Sequence, residues 1–154
     1  MSVFVDTNIL LRSVQPSDPQ HRAAVRAISS LLEAKETLVV TPQVLAEFWY
    51  AATRPPEKNG LGLSLEQARQ ELDALEDFFV VLPESGEVYD KWKELLIAYA
   101  IRGVHAHDAR LAAAMVVHNI DRILTFDTDD FARYKEITAV HPDSLDRGVS
   151  TSQA

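Results

Sequence analysis

The stretch MSVFVDTNIL, residues 1–10, carries an apolar run straight into Asp6, Thr7 and Asn8. Val3, Phe4 and Val5 are β-branched or aromatic, the composition of a buried parallel strand. A carboxylate at the C-terminal end of such a strand faces the crevice where open α/β sheets hold their ligands. Asp before Thr-Asn is also a good turn or helix cap. The two readings separate only if other carboxylates reach the same place.

Outward from this start, apolar runs alternate with amphipathic stretches. Asp18-Pro19 is read as an N-cap with proline in the first turn. Ala23, Ala24, Ala27, Ile28, Leu31 and Leu32 follow at helical spacing. Leu38 to Val40 forms the second strand. Thr41-Pro42 repeats the cap signal and opens a helix through Val44, Leu45, Phe48 and Trp49. Arg54-Pro55-Pro56 ends it, and Asn59-Gly60-Leu61-Gly62 makes a connection. Ser64 with Gln67 fits a capping box ahead of Leu65, Ala68, Leu72 and Leu75.

Phe78 to Leu82 reads as a third strand. Val88, Trp92, Leu95, Leu96 and Tyr99 mark a helix closed near Gly103. A helix from Ala106 to about His118 precedes a fourth strand, Arg122 to Phe126, and Ile137 to Val140 gives a short fifth. This alternation predicts an α/β fold, a parallel sheet with helices on both faces.

The 154 residues fit one domain with a proper core. The tail from Asp146 is polar and expected to be disordered. No cysteine is present, so disulfides, thiolate nucleophiles and Cys-based zinc sites are excluded. Asp6 and Arg12 interrupt the apolar start, no signal peptide is evident, and no apolar run spans a bilayer. A cytoplasmic protein without membrane contact is expected. A net charge of -8 weighs against nucleic acid, although two bound Mg2+ ions would halve it and reverse the local potential.

Four acidic positions occupy comparable places. Asp6 and Asp127 each follow a strand directly. Asp108 lies in the first turn of its helix, and Glu47 projects from the helix after the second strand. In a parallel sheet these points share one edge. Clustered carboxylates without basic partners repel one another, and a hard divalent cation with oxygen ligands, Mg2+ or Mn2+, relieves the repulsion. The competing reading keeps Asp108 as a helix-dipole residue, Asp127, Asp129 and Asp130 as a solvated turn, and Glu47 on the surface.

The run Val5-Asp6-Thr7-Asn8-Ile9-Leu10 resembles the opening motif of PIN-domain ribonucleases. Val44-Leu45-Ala46-Glu47-Phe48 resembles their second acidic motif and His107-Asp108-Ala109-Arg110-Leu111-Ala112-Ala113-Ala114 their third. Leu124-Thr125-Phe126-Asp127-Thr128-Asp129-Asp130-Phe131 is similar to the fourth. The motifs stand in family order from residue 5 to residue 131, and the VapC-type toxin branch is the nearest likeness. The resemblance implies a three-layer α/β/α sandwich over residues 1–145, with 146–154 as the tail. It also implies a Mg2+- or Mn2+-dependent endoribonuclease that cuts RNA with metal-activated water, the toxin of a type II toxin–antitoxin pair.

It carries catalytic and metal-binding roles onto Asp6, Glu47, Asp108 and Asp127, with Asp130 as the alternative or additional fourth carboxylate. Thr7, Asn8 and Thr125 would orient those carboxylates. Arg12, Arg54, Lys58, Arg110 and Arg133 are candidates for RNA phosphates, Arg54 the best of them. A cognate antitoxin and a homodimer are the implied protein partners.

His105 and His107 are set aside as zinc ligands for want of a third His or Cys. Trp49, Tyr50 and Trp92 are assigned to core or dimer packing rather than base stacking. Ser64 and Ser85 are read as helix caps. Competing functions are a housekeeping PIN nuclease without an antitoxin, a receiver-like phosphotransfer domain using Asp6, and a catalytically silent binding module.

Overall fold

The computed structural model describes residues 1–145; the expected disordered tail, 146–154, lies outside the described residues. Five parallel strands form one sheet: β1 (Ser2–Val5), β2 (Thr37–Val40), β3 (Val80–Val81), β4 (Arg122–Leu124) and β5 (Thr138–Val140), in the order β3-β2-β1-β4-β5. Six α-helices connect them: α1 (Thr7–Ser13), α2 (His21–Glu33), α3 (Pro42–Thr53), α4 (Leu65–Phe78), α5 (Gly86–Ala98) and α6 (His105–Val117). Right-handed crossovers put α1 to α4 on one face of the sheet and α5 with α6 on the other. The helix pairs in contact agree, with α1 against α2 and α3, α3 against α4, and α5 against α6. The predicted α/β architecture is the observed one.

β1 is the central strand because every side chain from Val3 to Val5 is buried. Phe4 pairs with Val39 on one side and Ile123 on the other. The chain builds outward from β1 to β3 and then returns to add β4 on the opposite side. The crevice between the C-terminal ends of β1 and β4 is therefore the topological switch point, where sheets of this kind take ligands. No described helix is long and apolar enough to cross a membrane.

Several boundaries depart from the sequence expectations. Asp18-Pro19 does not cap α2, which starts at His21 behind Gln20; Asp18 instead accepts from the Gln20 N–H at 2.8 Å. Its carboxylate thus closes the preceding turn. Thr41 occupies the N-cap of α3 with Pro42 in the first turn, but its hydroxyl makes no capping bond. Ser85 stands before α5, likewise without a capping bond. Phe78 belongs to α4 rather than to the third strand, and β3 keeps only two residues because β2 offers it just Val39, Val40 and the Val40 carbonyl. β4 stops at Leu124, where Thr125 turns its side chain to the crevice.

Gly103 does not close α5. Ala100 does, with φ of 51°, while the Ile101 N–H reaches back to the Leu96 carbonyl at 3.0 Å. The same Schellman closure ends α2 at Lys35 (φ 62°) and α6 at Asn119 (φ 58°). None of the three carries the glycine that normally signals it. The Ser64–Gln67 capping box forms as read, with both reciprocal bonds present.

Ala100→Gly should raise the unfolding free energy by roughly 0.5–1 kcal/mol, since glycine removes the left-handed penalty. Ser64→Ala should lower it by about 1 kcal/mol through loss of the cap. Urea denaturation of both variants against the parent checks the opposite signs.

Candidate active site

Asp6 ends β1 and caps α1 at once. Its Oδ1 accepts the Thr7 N–H at 2.7 Å and its Oδ2 accepts the Thr125 hydroxyl at 2.8 Å. Asn8 adds a longer bond to Oδ2 at 3.3 Å. The backbone locks the same junction, the Asp6 N–H donating to the Leu124 carbonyl at 3.0 Å. Only 9% of the Asp6 surface is exposed. The cap reading of this residue is therefore correct, and the same carboxylate stands at the end of β1 beside Thr125.

Asn8 is the bridge between strand ends. Its amide nitrogen donates to Thr125 Oγ1 and to Asp127 Oδ2, each at 3.1 Å, and its oxygen accepts the Phe126 N–H at 3.2 Å. Glu47 is clamped at both oxygens. Thr7 donates its hydroxyl to Oε2 at 2.8 Å, and Gln43, one turn earlier on α3, donates to Oε1 at 2.9 Å. Gln43 also donates to the His107 carbonyl and accepts from Arg110, tying α3 to the start of α6. Thr7, Asn8 and Thr125 thus all bind carboxylates.

Asp108 is half-buried in the first turn of α6. His105 Nδ1 lies 3.5 Å from its Oδ2, and one ligand atom each of His105, Asp108 and Asp130 falls within 4.8 Å of the others. Asp130 is thus the member of the acidic turn that faces Asp108, whereas Asp127 is exposed and held by Asn8.

The electrostatics follow from this gathering. Burial pushes the Asp6 carboxyl up from 3.8 to about 7; the Thr125 and Thr7 bonds resist, and the charges of Glu47 and Asp108 add to the rise. Asp108 is also raised, chiefly by burial and then by Asp130, with His105 opposing and Glu47 contributing. Carboxylates that raise one another's proton affinity are donors a hard divalent cation fits, and the grouped ligand atoms also include a nitrogen of His105, a residue set aside on the sequence.

Beside Glu47 opens a cleft of about 400 Å3 lined by Tyr50, Arg54, His107 and Arg110. Tyr50 is not a core residue; it is 56% exposed, with the Arg54 guanidinium 4.9 Å over its ring. Trp92 packs against the core and donates to the Ala106 carbonyl. Arg110 is paired with Glu84 at 2.6 Å, and Arg12 bonds Gln20 beside Asp18. Gln43 and Glu84 escaped the sequence reading. Gln43 carried one usable signal, its four-residue spacing from Glu47 on a helix, and Glu84 carried none.

The family described as PIN domain matches residues 3–137. Among curated proteins, none matches the sequence. Solved structures are similar in fold. VapBC2 from Rickettsia felis, bound to a promoter DNA fragment, is 20% identical with a TM-score of 0.66, over 92% of this chain and 98% of that one. VapBC-1 from nontypeable Haemophilus influenzae is 20% identical with a TM-score of 0.67, over 93% and 99%. VapC20 from Mycobacterium tuberculosis, described as a sarcin-ricin loop cleaving toxin, is 22% identical with a TM-score of 0.62, over 88% and 98%.

An acid whose folded pKa is raised binds its proton more tightly when folded. In metal-free protein, stability from Asp6 is therefore full below about pH 4 and is lost as pH rises toward about 7. Asp6→Asn should gain on the parent by a few kcal/mol across that window, read as the difference in Tm between acidic and mildly alkaline buffer. Saturating Mg2+ should narrow the gap by stabilising only the parent.

Proposed function

The chain belongs to the PIN domain family, and from that premise we propose that it is a metal-dependent endoribonuclease, the toxin of a toxin–antitoxin pair. The observation that carries the proposal is the buried Asp6 at the switch point, gripped by Thr7 and Thr125 and destabilised by Glu47 and Asp108. Such an arrangement costs stability when the carboxylates are ionised, and a bound divalent cation would offset that cost. Asp6, Glu47 and Asp108 would hold Mg2+ or Mn2+, with Asp130 as the fourth carboxylate. Asp127 would act through Asn8.

A divalent cation there supplies Lewis acidity, activating water and offsetting charge that develops on the scissile phosphate. The chain supplies order. Thr125 and Asn8 hold Asp6 in one rotamer, and Thr7 with Gln43 fixes both Glu47 oxygens, leaving the remaining lone pairs to orient the attacking water. Arg54 and Arg110 line the adjoining cleft beside Glu47, placed to meet RNA phosphates.

Antitoxin control is supported by the fold shared with VapBC complexes. A net charge of -8 suits a basic inhibitory segment. Homodimerisation and a cytoplasmic setting complete the reading.

Asp6→Asn and Asp108→Asn, folded by circular dichroism, should lose Mg2+-dependent RNA cleavage by about 100-fold or more. Asp130→Asn should fall with them and Asp127→Asn should retain more activity. Full cleavage by the Asp6 and Asp108 variants would refute the site. Growth arrest on expression, relieved by a small co-expressed partner, tests the toxin assignment.

A further inference from the structure

Past Arg54 lies a second cleft, polar and about 660 Å3 in volume, walled by Arg12, Gln15, Asp18, Arg54 and Asn59. It shares Ala51 and Arg54 with the cleft beside Glu47. A strand leaving the carboxylates along α3 would therefore pass Arg54 and enter it. The two clefts adjoin at Ala51 and Arg54, which line both.

Arg54 is held there by its own connection. Three backbone bonds fold the following segment onto the end of α3: Leu61 to Ala51, Gly62 to Arg54 and Leu63 to Ala52, each 2.9–3.0 Å. Gly60 packs so tightly that a Cβ would meet the Arg54 carbonyl at 1.8 Å. The Asn59 carbonyl accepts from Arg54 Nη2 at 3.1 Å, and the Tyr50 ring supports the guanidinium. Of the five guanidinium donors, one hydrogen bond is made among the described residues. Arg12, across the cleft, engages its Nε with Gln20 and leaves its outer nitrogens without a bond among the described residues; Asp18, 3.6 Å from that Nε, holds it in place.

We propose that this second cleft is a subsite for the phosphates of the RNA strand flanking the cut, with Arg54 and Arg12 as its paired cations. The inference rests on the ribonuclease reading and extends it. A pre-positioned arginine fork binds phosphate with little ordering cost. An acidic protein needs such fixed cations away from its carboxylates if it is to hold a polyanion at all.

The test is fluorescence anisotropy on a single-stranded RNA of about 12 nucleotides, the scale of such site sizes. The Asp108→Asn background with Mg2+ keeps the strand intact. Arg12→Ala and Arg54→Ala should each weaken binding roughly fivefold and lower the slope of log affinity against log salt by about 0.7. Arg54→Lys, which keeps the charge and spares the fold, should recover the slope but not the full affinity. Arg69→Ala, on an exposed helix face, is the control and should change neither.

If Arg12→Ala and Arg54→Ala bind like the control while the unsubstituted protein still cuts RNA, the subsite is wrong and the ribonuclease reading stands. If the unsubstituted protein neither binds nor cuts RNA, both fall together.

Discussion

The hydrogen bond from Thr125 to Asp6 joins the two strands between which the fold reverses direction. Both partners are buried, and each lies one residue beyond its strand. Removing either would leave a polar group without its partner in a site water barely reaches, a cost of about 1–3 kcal/mol. Everything else at the crevice is referenced to this bond. Asn8 reads the Thr125 hydroxyl and passes its position to Asp127, while Thr7 carries the same frame to Glu47.

Asp6 and Glu47 are thus fixed by neutral donors, not by cations, and Asp108, unlike them, has a basic group, His105, beside it among the described residues. An arginine in the cluster would neutralise it and leave no role for a metal. Arg110 shows the alternative handled at a distance: it is matched to Glu84 and touches Glu47 only through the Gln43 amide. That relay conveys position without delivering charge. Arg54, just past α3, and Arg12 on α1 stand outside the repelling group, so attraction and repulsion are separated in space.

Much of this was legible in the residues. The apolar run Val3 to Val5 had one burial solution, and Ser64 with Gln67 could form its box from local sequence alone. The acidic positions converged because a parallel sheet brings strand ends to one edge. Local chemistry failed where tertiary contacts decided. Lys35, Ala100 and Asn119 close helices in a left-handed conformation that glycine usually marks, and packing overrode their preference. Phe78 looked like strand because its neighbours are aromatic and β-branched, but the pairing available from β2 begins only at Val80. Which acid of the turn faces Asp108 depends on the short helical turn from Thr128 to Phe131, and spacing alone carries no such direction. Tyr50 sat in an apolar helical stripe yet faces solvent.

The margins of the sheet have a consequence of their own. β3 and β5 are its outer strands, and each is short, two and three residues. A proline follows each within two positions, Pro83 after Val81 and Pro142 after Val140. Proline lacks the amide hydrogen that an added strand would need, and brief edges resist being extended by another chain. The protein is thereby guarded against edge-to-edge polymerisation. Whatever associates with it is directed to side chains on its helices and clefts, where recognition can be selective, and away from the backbone, where any extended peptide would serve.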